Sequence, residues 1–311
     1  MKKDRLVFIF GPTGVGKTDL ACEVAQDIGE IISVDSMQVY KELDLGTAKP
    51  IAEHMKKVPH HLVSIIPPDF RFSAGDFKRL ALKIISEVNQ RGKIPILVGG
   101  TGLYFRALEF DLLNAPPAER KLRETLYKKE EKNKGYLYKE LSTIDPPTAK
   151  LVNQNDLLRI VRALEIYYTS GIKFSKLLQK GKTRQLMPLK IGLNIDREDL
   201  YARIESRCKK MIDCCLAQEV YGLLMKGYTE KLPAMKGLGY SHFFQYFKGC
   251  CSYDETLRRF VRDTKRYAKR QLTWFRKEPG VFWFKPTDVD IIRRKIESFI
   301  KCKGGTGCFQ L

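Results

Sequence analysis

Short unbroken apolar runs alternate with stretches of helical period over the first hundred residues. Leu6–Phe10, Ile31–Val34, Leu62–Ile66 and Ile94–Val98 are rich in Ile, Val, Leu and Phe and lack polar alternation. Such runs predict strands buried on both faces. Between them, Asp19–Ile28 and Ala74–Asn89 carry helical spacing. The alternation predicts an α/β fold, a parallel sheet flanked by helices. It stops at Asn114-Ala115-Pro116-Pro117. From Glu119 to about Arg184 the chain is rich in Lys, Glu, Leu and Tyr, with helical spacing and no strand signal. Lys190–Ile195 then resumes the strand pattern. The expected organisation is one core, residues 1–113 and 188–311, interrupted by a helical insertion at 114–187. Further on, Leu200–Lys226 reads as one helix, followed by helices at Tyr240–Phe247 and Tyr253–Arg276. A final strand is expected at Val281–Phe284 and a closing helix at Val289–Lys301, with Gly304–Leu311 as a frayed tail.

Composition narrows the class. The 311 residues have a hydrophobic content of 43%, and no apolar stretch is long enough to span a bilayer. Met1-Lys2-Lys3-Asp4 runs directly into a core strand without a leader pattern, so the expected location is the cytoplasm. Eight cysteines include no C-x₂-C pair and only four histidines accompany them, so reduced thiols are expected and not a zinc site. Lys and Arg number 56 against 36 Asp and Glu, a net charge of +20. An excess of that size favours a polyanionic partner, nucleic acid above all.

Candidate chemistry clusters at the strand ends. Directly after the first strand, Gly11-Pro12-Thr13-Gly14-Val15-Gly16-Lys17-Thr18 has the form G-x-x-x-x-G-K-T. The glycines let successive N–H groups turn toward phosphate oxygens, Lys17 supplies a point charge and Thr18 a hydroxyl for Mg²⁺. A helix N-terminus adds to this cradle. The second strand ends in Val34-Asp35-Ser36-Met37-Gln38-Val39-Tyr40. Ligands of open α/β sheets sit beyond the carboxyl ends of the strands, so Asp35 shares the crevice. It can ligate Mg²⁺, act as a general base, or cap the turn. Gly99-Gly100-Thr101-Gly102-Leu103-Tyr104 forms another small-residue loop at that edge, either a ligand loop or a plain turn. His60 and His61 lack a nearby acidic or cysteine partner in sequence and read as structural. Arg203 and Arg207, one helical turn apart, can clamp a diphosphate, line a polyanion groove, or be ordinary surface residues. Between Tyr253 and Lys277 nine basic residues, Arg266, Lys269 and Arg270 among them, fall within an arc of roughly 140°. The stripe predicts a phosphate-contacting surface.

Together these segments resemble the tRNA dimethylallyltransferase (tRNA isopentenyltransferase) family, bacterial type. The matching stretches are GPTGVGKTDLA (11–21), VDSMQVYKELDLGTAKP (34–50), PHHLV (59–63), PILVGGTGLY (95–104), NDLLRIVRALEIY (155–167), LYARIESRCKKM (200–211), GLGY (237–240) and AKRQLTWFRKEP (268–279). They run in family order and cover almost the whole chain. The resemblance implies a P-loop NTPase-like fold with an inserted helical domain that grips the tRNA anticodon stem. It implies transfer of a dimethylallyl group from dimethylallyl diphosphate to N6 of adenosine 37, with diphosphate as the leaving group. Asp35 would be the base, with Thr101, Lys17 and Arg207 also catalytic. Gly11 to Thr18 and Arg203 would hold the diphosphate, with Mg²⁺ at Thr18. The tRNA would be read by Asp35, Ser36, Met37, Gln38 and Thr101, by Arg123, by Arg159, Ile160, Val161, Arg162 and Ala163, and by Arg266, Lys269, Arg270 and Gln271. The enzyme is expected to act as a monomer. Departures from the family pattern are Val152-Asn153-Gln154 before Asn155-Asp156, Ser241-His242 after GLGY, and Cys214-Cys215 near a usual glycine.

Overall fold

The computed structural model describes residues 5–110, 115–179 and 184–301. The expected frayed tail, Met1 to Asp4, Asn114, Cys302 and Cys308 lie outside them. The chain divides into two compact units, Met1–Glu109 with Gln185–Leu311, and Phe110–Arg184.

The first unit is built on six parallel strands: β1 (Val7–Phe10), β2 (Gly29–Val34), β3 (His60–His61), β4 (Ile94–Gly99), β5 (Leu189–Leu193) and β6 (Val281–Phe284). Their order is β3-β2-β4-β1-β5-β6. Phe10 pairs with Gly99 and Gly192, and Val34 also pairs with Gly99, so the ends of β1, β2, β4 and β5 lie in register. Helices α1 (Lys17–Ala25), α2 (Ala52–Lys57), α3 (Ala74–Gln90) and α4 (Gly102–Glu109) accompany the first strands. The second unit holds α5 (Arg120–Lys132), α6 (Tyr136–Ile144), α7 (Pro146–Leu151), α8 (Leu157–Ser170) and α9 (Phe174–Gln179). Back in the first unit follow α10 (Arg197–Asp213), α11 (Leu216–Met225), α12 (Tyr240–Phe247), α13 (Tyr253–Phe275) and α14 (Val289–Lys301).

Packing explains the unbroken apolar runs. Val7 and Ile9 of β1 face a core shared with Leu20 and Val24 of α1 and Ile204 of α10. Leu6, Phe8 and Phe10 face the opposite core with Phe77 of α3, Phe105 of α4 and Phe275 of α13. Successive strand residues point to opposite faces, and both faces are covered. Each such side chain contributes about 1.5–3 kcal/mol of burial. Phe10 stacks on Phe275 with centroids 4.5 Å apart, which anchors the end of α13 at the end of β1.

Three sequence expectations change. Leu62–Ile66 is not a strand. Leu62 and Ser64 have φ of 61° and 54°, so the chain turns after β3, and Ile66 rejoins only as a bridge to Tyr40. The single helix expected over 200–226 is two, broken where Cys215 adopts φ 73°. β5 ends at Leu193, short of Ile195.

Candidate active site

Three loops meet beyond the carboxyl ends of β1, β2 and β4. In the first, Gly14 and Gly16 have φ of 83° and 100°, a left-handed conformation open to glycine. Gly16 caps α1, so Lys17 and Thr18 stand in its first turn. Lys17 Nζ donates to the carbonyls of Gly11 (3.0 Å) and Pro12 (2.8 Å). Burial and then the Arg207 charge lower its pKa to about 7, against a smaller opposing pull from Asp35.

Two arginines of α10 touch the loop. Arg207 Nη1 donates to Thr13 Oγ1 at 3.1 Å, and Arg203 Nη1 to the Val15 carbonyl at 3.4 Å. Burial lowers the Arg207 pKa. Arg207 is half-buried against the loop, whereas Arg203 is exposed. The Thr13 N–H donates to Gln271 Oε1 of α13 at 2.8 Å.

Asp35 stands half-buried at the end of β2. Its Oδ1 accepts the N–H groups of Met37 (2.8 Å) and Gln38 (3.3 Å), so the turn-cap reading is realised. Its charge acts on Lys17, Arg207 and Tyr267, which places it within the same electrostatic environment as the phosphate loop. Thr101 Oγ1 accepts the Ser36 N–H at 3.1 Å, and Thr101 N–H donates to the Val34 carbonyl at 3.2 Å. The glycine-rich loop after β4 is therefore fastened to the Asp35 loop. Gly102 is required by close packing, since a Cβ there would lie 2.2 Å from Trp274 Nε1.

Two motifs matched by resemblance prove to be mechanical partners. Tyr240 of the GLGY segment is fully buried. Its hydroxyl donates to Glu219 Oε1 (2.6 Å) and accepts the Gly46 N–H (3.1 Å) of the GTAKP segment. Glu219 Oε2 accepts the N–H groups of Asp44 (3.2 Å) and Leu45 (2.9 Å). Neither Glu219 nor Tyr267 was singled out from sequence as a site residue. Helical spacing of four from Gln271 was the available signal for Tyr267.

The expected RNA-reading residues divide sharply. The Gln38 carboxamide accepts from Ser33 Oγ (2.8 Å) and donates to the carbonyls of Thr47 (3.3 Å) and Ala48 (3.1 Å). These bonds hold the Asp35 loop to the GTAKP loop. Gln271 is 6% exposed, and its amide donates to the Gly100 carbonyl at 2.9 Å, so it too faces inward. Ile160, Val161 and Ala163 are buried in the core of the second unit. Arg123 and Arg162 pair with the fully buried Glu165, at 2.8 Å and 2.5 Å, and remain partly exposed. Arg159 is exposed, 3.3 Å from Asp156. On α13, Arg266 lies 3.4 Å from Asp263. Met37 and Ser36 are half-buried, while Lys269 and Arg270 are exposed, and Arg270 lies over the Tyr267 ring at 5.8 Å.

His61 Nε2 lies 2.7 Å from Glu30 Oε2 and His60 Nδ1 2.7 Å from the Val58 carbonyl, partners within the fold. Among the described residues no group of three or more His, Cys, Asp and Glu side chains is placed to hold a metal. No helix among them is long and apolar enough to cross a membrane.

A parallel sheet with a G-x-x-x-x-G-K-T loop after β1, its lysine in the first turn of α1, defines a protein of the P-loop NTPase-like fold. Residues 38–278 match the model of the IPP transferase family. The chain is 44% identical over 285 residues to tRNA dimethylallyltransferase 2 of Geotalea uraniireducens, covering 90% of this chain and 92% of that protein. It is 46% identical to the tRNA dimethylallyltransferase of Carboxydothermus hydrogenoformans, with the same coverage of 90% and 92%. The crystal structure of the tRNA isopentenylpyrophosphate transferase from Bacillus halodurans superposes with a TM-score of 0.73 at 36% identity, covering 96% of this chain and 97% of that one. A eukaryotic dimethylallyltransferase acting on tRNA gives 0.83 at 27% identity, covering 98% and 81%. The chain belongs to the IPP transferase family, and is a prenyl-transferring enzyme.

Proposed function

We propose that this chain transfers a dimethylallyl group from dimethylallyl diphosphate to N6 of adenosine 37 in tRNA. The observation that carries the reading is the convergence of a phosphate loop, two arginines on that loop and a strand-end carboxylate at one sheet edge. A phosphoryl-transfer enzyme can share all three features. Alkyl transfer is favoured because the family relatives are tRNA dimethylallyltransferases.

The new bond joins N6 to the allylic carbon, and the carbon–oxygen bond to the diphosphate breaks. The N6 lone pair is delocalised into the purine ring, so the amine becomes a better nucleophile as its proton passes to Asp35. Thr101, fastened to the backbone beside Asp35, places its hydroxyl at the acceptor side. Negative charge growing on the leaving diphosphate is met by the loop N–H groups, Lys17, Arg207 and Arg203. Ser36 and Met37 line the acceptor side of the Asp35 loop, and the base reaches it by leaving the anticodon-loop stack.

Mg²⁺ fits this donor set. A small hard cation keeps most of its waters and takes substrate phosphate oxygens with one or two protein oxygens, so the Thr18 hydroxyl in the first turn of α1 suffices. When bound it neutralises diphosphate charge. The polar faces of the second unit, Arg159 included, and the exposed end of α13 at Lys269 and Arg270 take the RNA backbone. The chain acts as a monomer in the cytoplasm.

The test incubates the protein with labelled dimethylallyl diphosphate, Mg²⁺ and either unmodified tRNA or adenine nucleotides. Label at position 37 of the tRNA is expected. Label confined to free nucleotide overturns the tRNA reading, and phosphoryl transfer without prenylation overturns the alkyl-transfer chemistry.

A further inference from the structure

The carboxamide of Gln271 joins two loops that approach the reaction from opposite sides. Oε1 accepts the Thr13 N–H of the phosphate loop at 2.8 Å, and Nε2 donates to the Gly100 carbonyl of the loop after β4 at 2.9 Å. Gln271 is 6% exposed, with the bond to Gly100 buried and the bond from Thr13 partly buried, and leaving a buried group unpaired costs about 1–3 kcal/mol. The space is closed: a Cβ on Gly100 would lie 2.1 Å from Gln271 Nε2. The next residue after Gly100, Thr101, accepts from Ser36 beside Asp35. Thr13 carries the other half of the linkage, because its hydroxyl accepts from Arg207. Gln271 thus stands in a continuous chain from the arginine at the leaving group to the carboxylate at the acceptor. The order is Arg207, Thr13, Gln271, Gly100–Thr101, Ser36 and Asp35.

A second consequence concerns the loop itself. The Thr13 N–H is taken by Gln271, so it is not among the amides that hold phosphate. Glutamine is the side chain that satisfies both ends: glutamate presents an oxygen to the Gly100 carbonyl, and methionine offers neither a strong donor nor a strong acceptor.

We propose that Gln271 is a positioning residue that holds the phosphate loop in register with the Thr101–Asp35 side of the site, so that leaving group and acceptor amine are aligned. This rests on the prenyl-transfer reading above. Gln271 touches neither reactant; it acts through Thr13 and Gly100. Loss of the linkage should therefore lower turnover more than it lowers affinity for either substrate.

Steady-state rates for the wild-type chain, Gln271→Ala and Gln271→Glu, with tRNA and dimethylallyl diphosphate each varied, test the proposal. Both variants should lose roughly 10- to 100-fold in kcat, the scale of an approximately 1 Å misplacement. Binding of tRNA, measured separately, should change less than twofold. Amide exchange at Thr13 should be slow in the wild type and accelerate in Gln271→Ala. A wild-type kcat in Gln271→Ala overturns the proposal. So does a loss confined to tRNA affinity, which would make Gln271 an RNA contact. Failure of both variants to melt cooperatively overturns it too, since the carboxamide would then be needed for folding and not for alignment. An inactive wild type instead removes the prenyl-transfer reading itself, so the two failures are distinguishable.

Discussion

At Asp35 one oxygen already has structural work. Oδ1 caps the turn through the N–H groups of Met37 and Gln38, so a simple truncation damages both the loop and the base. Asparagine keeps an Oδ1 acceptor for those N–H groups and cannot take a proton at neutral pH. Asp35→Asn is therefore expected to lose about 10²–10⁴ in kcat, the usual worth of a general base, with tRNA affinity unchanged. Asp35→Ala should lose more and also melt lower. Equal losses in turnover and binding for Asp35→Asn would contradict the base role. Lys17 gives a second residue-scale prediction. Burial and Arg207 bring its pKa to about 7, against an ordinary value of 10.5. Between those values the unfolded lysine holds its proton and the native one has released it, so this residue makes stability rise with pH across that window. An arriving diphosphate favours the charged ammonium. Binding at pH 8 should take up a proton, and affinity should fall as pH rises above 7. Calorimetry of diphosphate binding in buffers of different ionisation heat reads the uptake, and Lys17→Met should abolish it. The phosphate loop, Asp35 and Thr101 were legible in the sequence because each is a short local pattern at a strand end. The hydrogen bonds of Gln271 and Tyr240 were not, because their partners Thr13 and Gly46 lie 258 and 194 residues away.

Elements were legible where periodicity is strong and less so where backbone geometry intervenes. The predicted strand over 62–66 failed because two residues there adopt positive φ, which an apolar run does not reveal. The helix beyond Leu200 splits at Cys214-Cys215 without a Gly or Pro to mark it. In α8 the resemblance marked Arg159 to Ala163 for the RNA without showing that Ile160, Val161 and Ala163 are buried or that Glu165 pairs with Arg162 and with Arg123 of α5. Glu165 is fully buried. Burial alone would raise its carboxyl pKa, but hydrogen bonds from Arg123, Arg162 and the Glu119 N–H overcome this and lower it. A carboxylate held below its unfolded value stabilises the fold above that value, and the contribution disappears as pH falls through the native pKa. Glu165→Gln removes the countercharge from two partly exposed guanidiniums and should cost about 3 kcal/mol, the lower end for breaking a buried pair. Chemical denaturation of the variant against the wild type checks this. A loss below about 0.5 kcal/mol would mean that the pairing of Arg123 and Arg162 with Glu165 adds little to the stability of the fold.

The net charge of +20 belongs to the whole molecule, but its cations are not equivalent. Sequence spacing put the basic residues of α13 on one stripe. It did not show which have acidic neighbours, because some of those lie one turn earlier or on another helix. Arg258 and Arg259 lie 3.0 Å and 2.6 Å from Glu255, and Arg266 and Arg262 share Asp263. Lys265 is paired with Glu205 of α10. Each such pair offsets part of the field that a polyanion would feel, and an arginine already paired gains less from a phosphate. Lys269 and Arg270 stand instead at the end of α13 nearest Gln271, one to two residues from the linkage to the phosphate loop. A phosphate contact releases condensed counterions, so its loss reduces the slope of log K against log salt by about one. Neutralising Lys269 and Arg270 together, as Lys269→Ala with Arg270→Ala, should flatten the slope for tRNA by about one to two and weaken binding most at low salt. The Arg258→Ala, Arg259→Ala pair removes the same formal charge and should change the slope by less than half as much. Equal slopes for the two double variants would mean that net charge alone, and not the local pairing on α13, sets the RNA affinity.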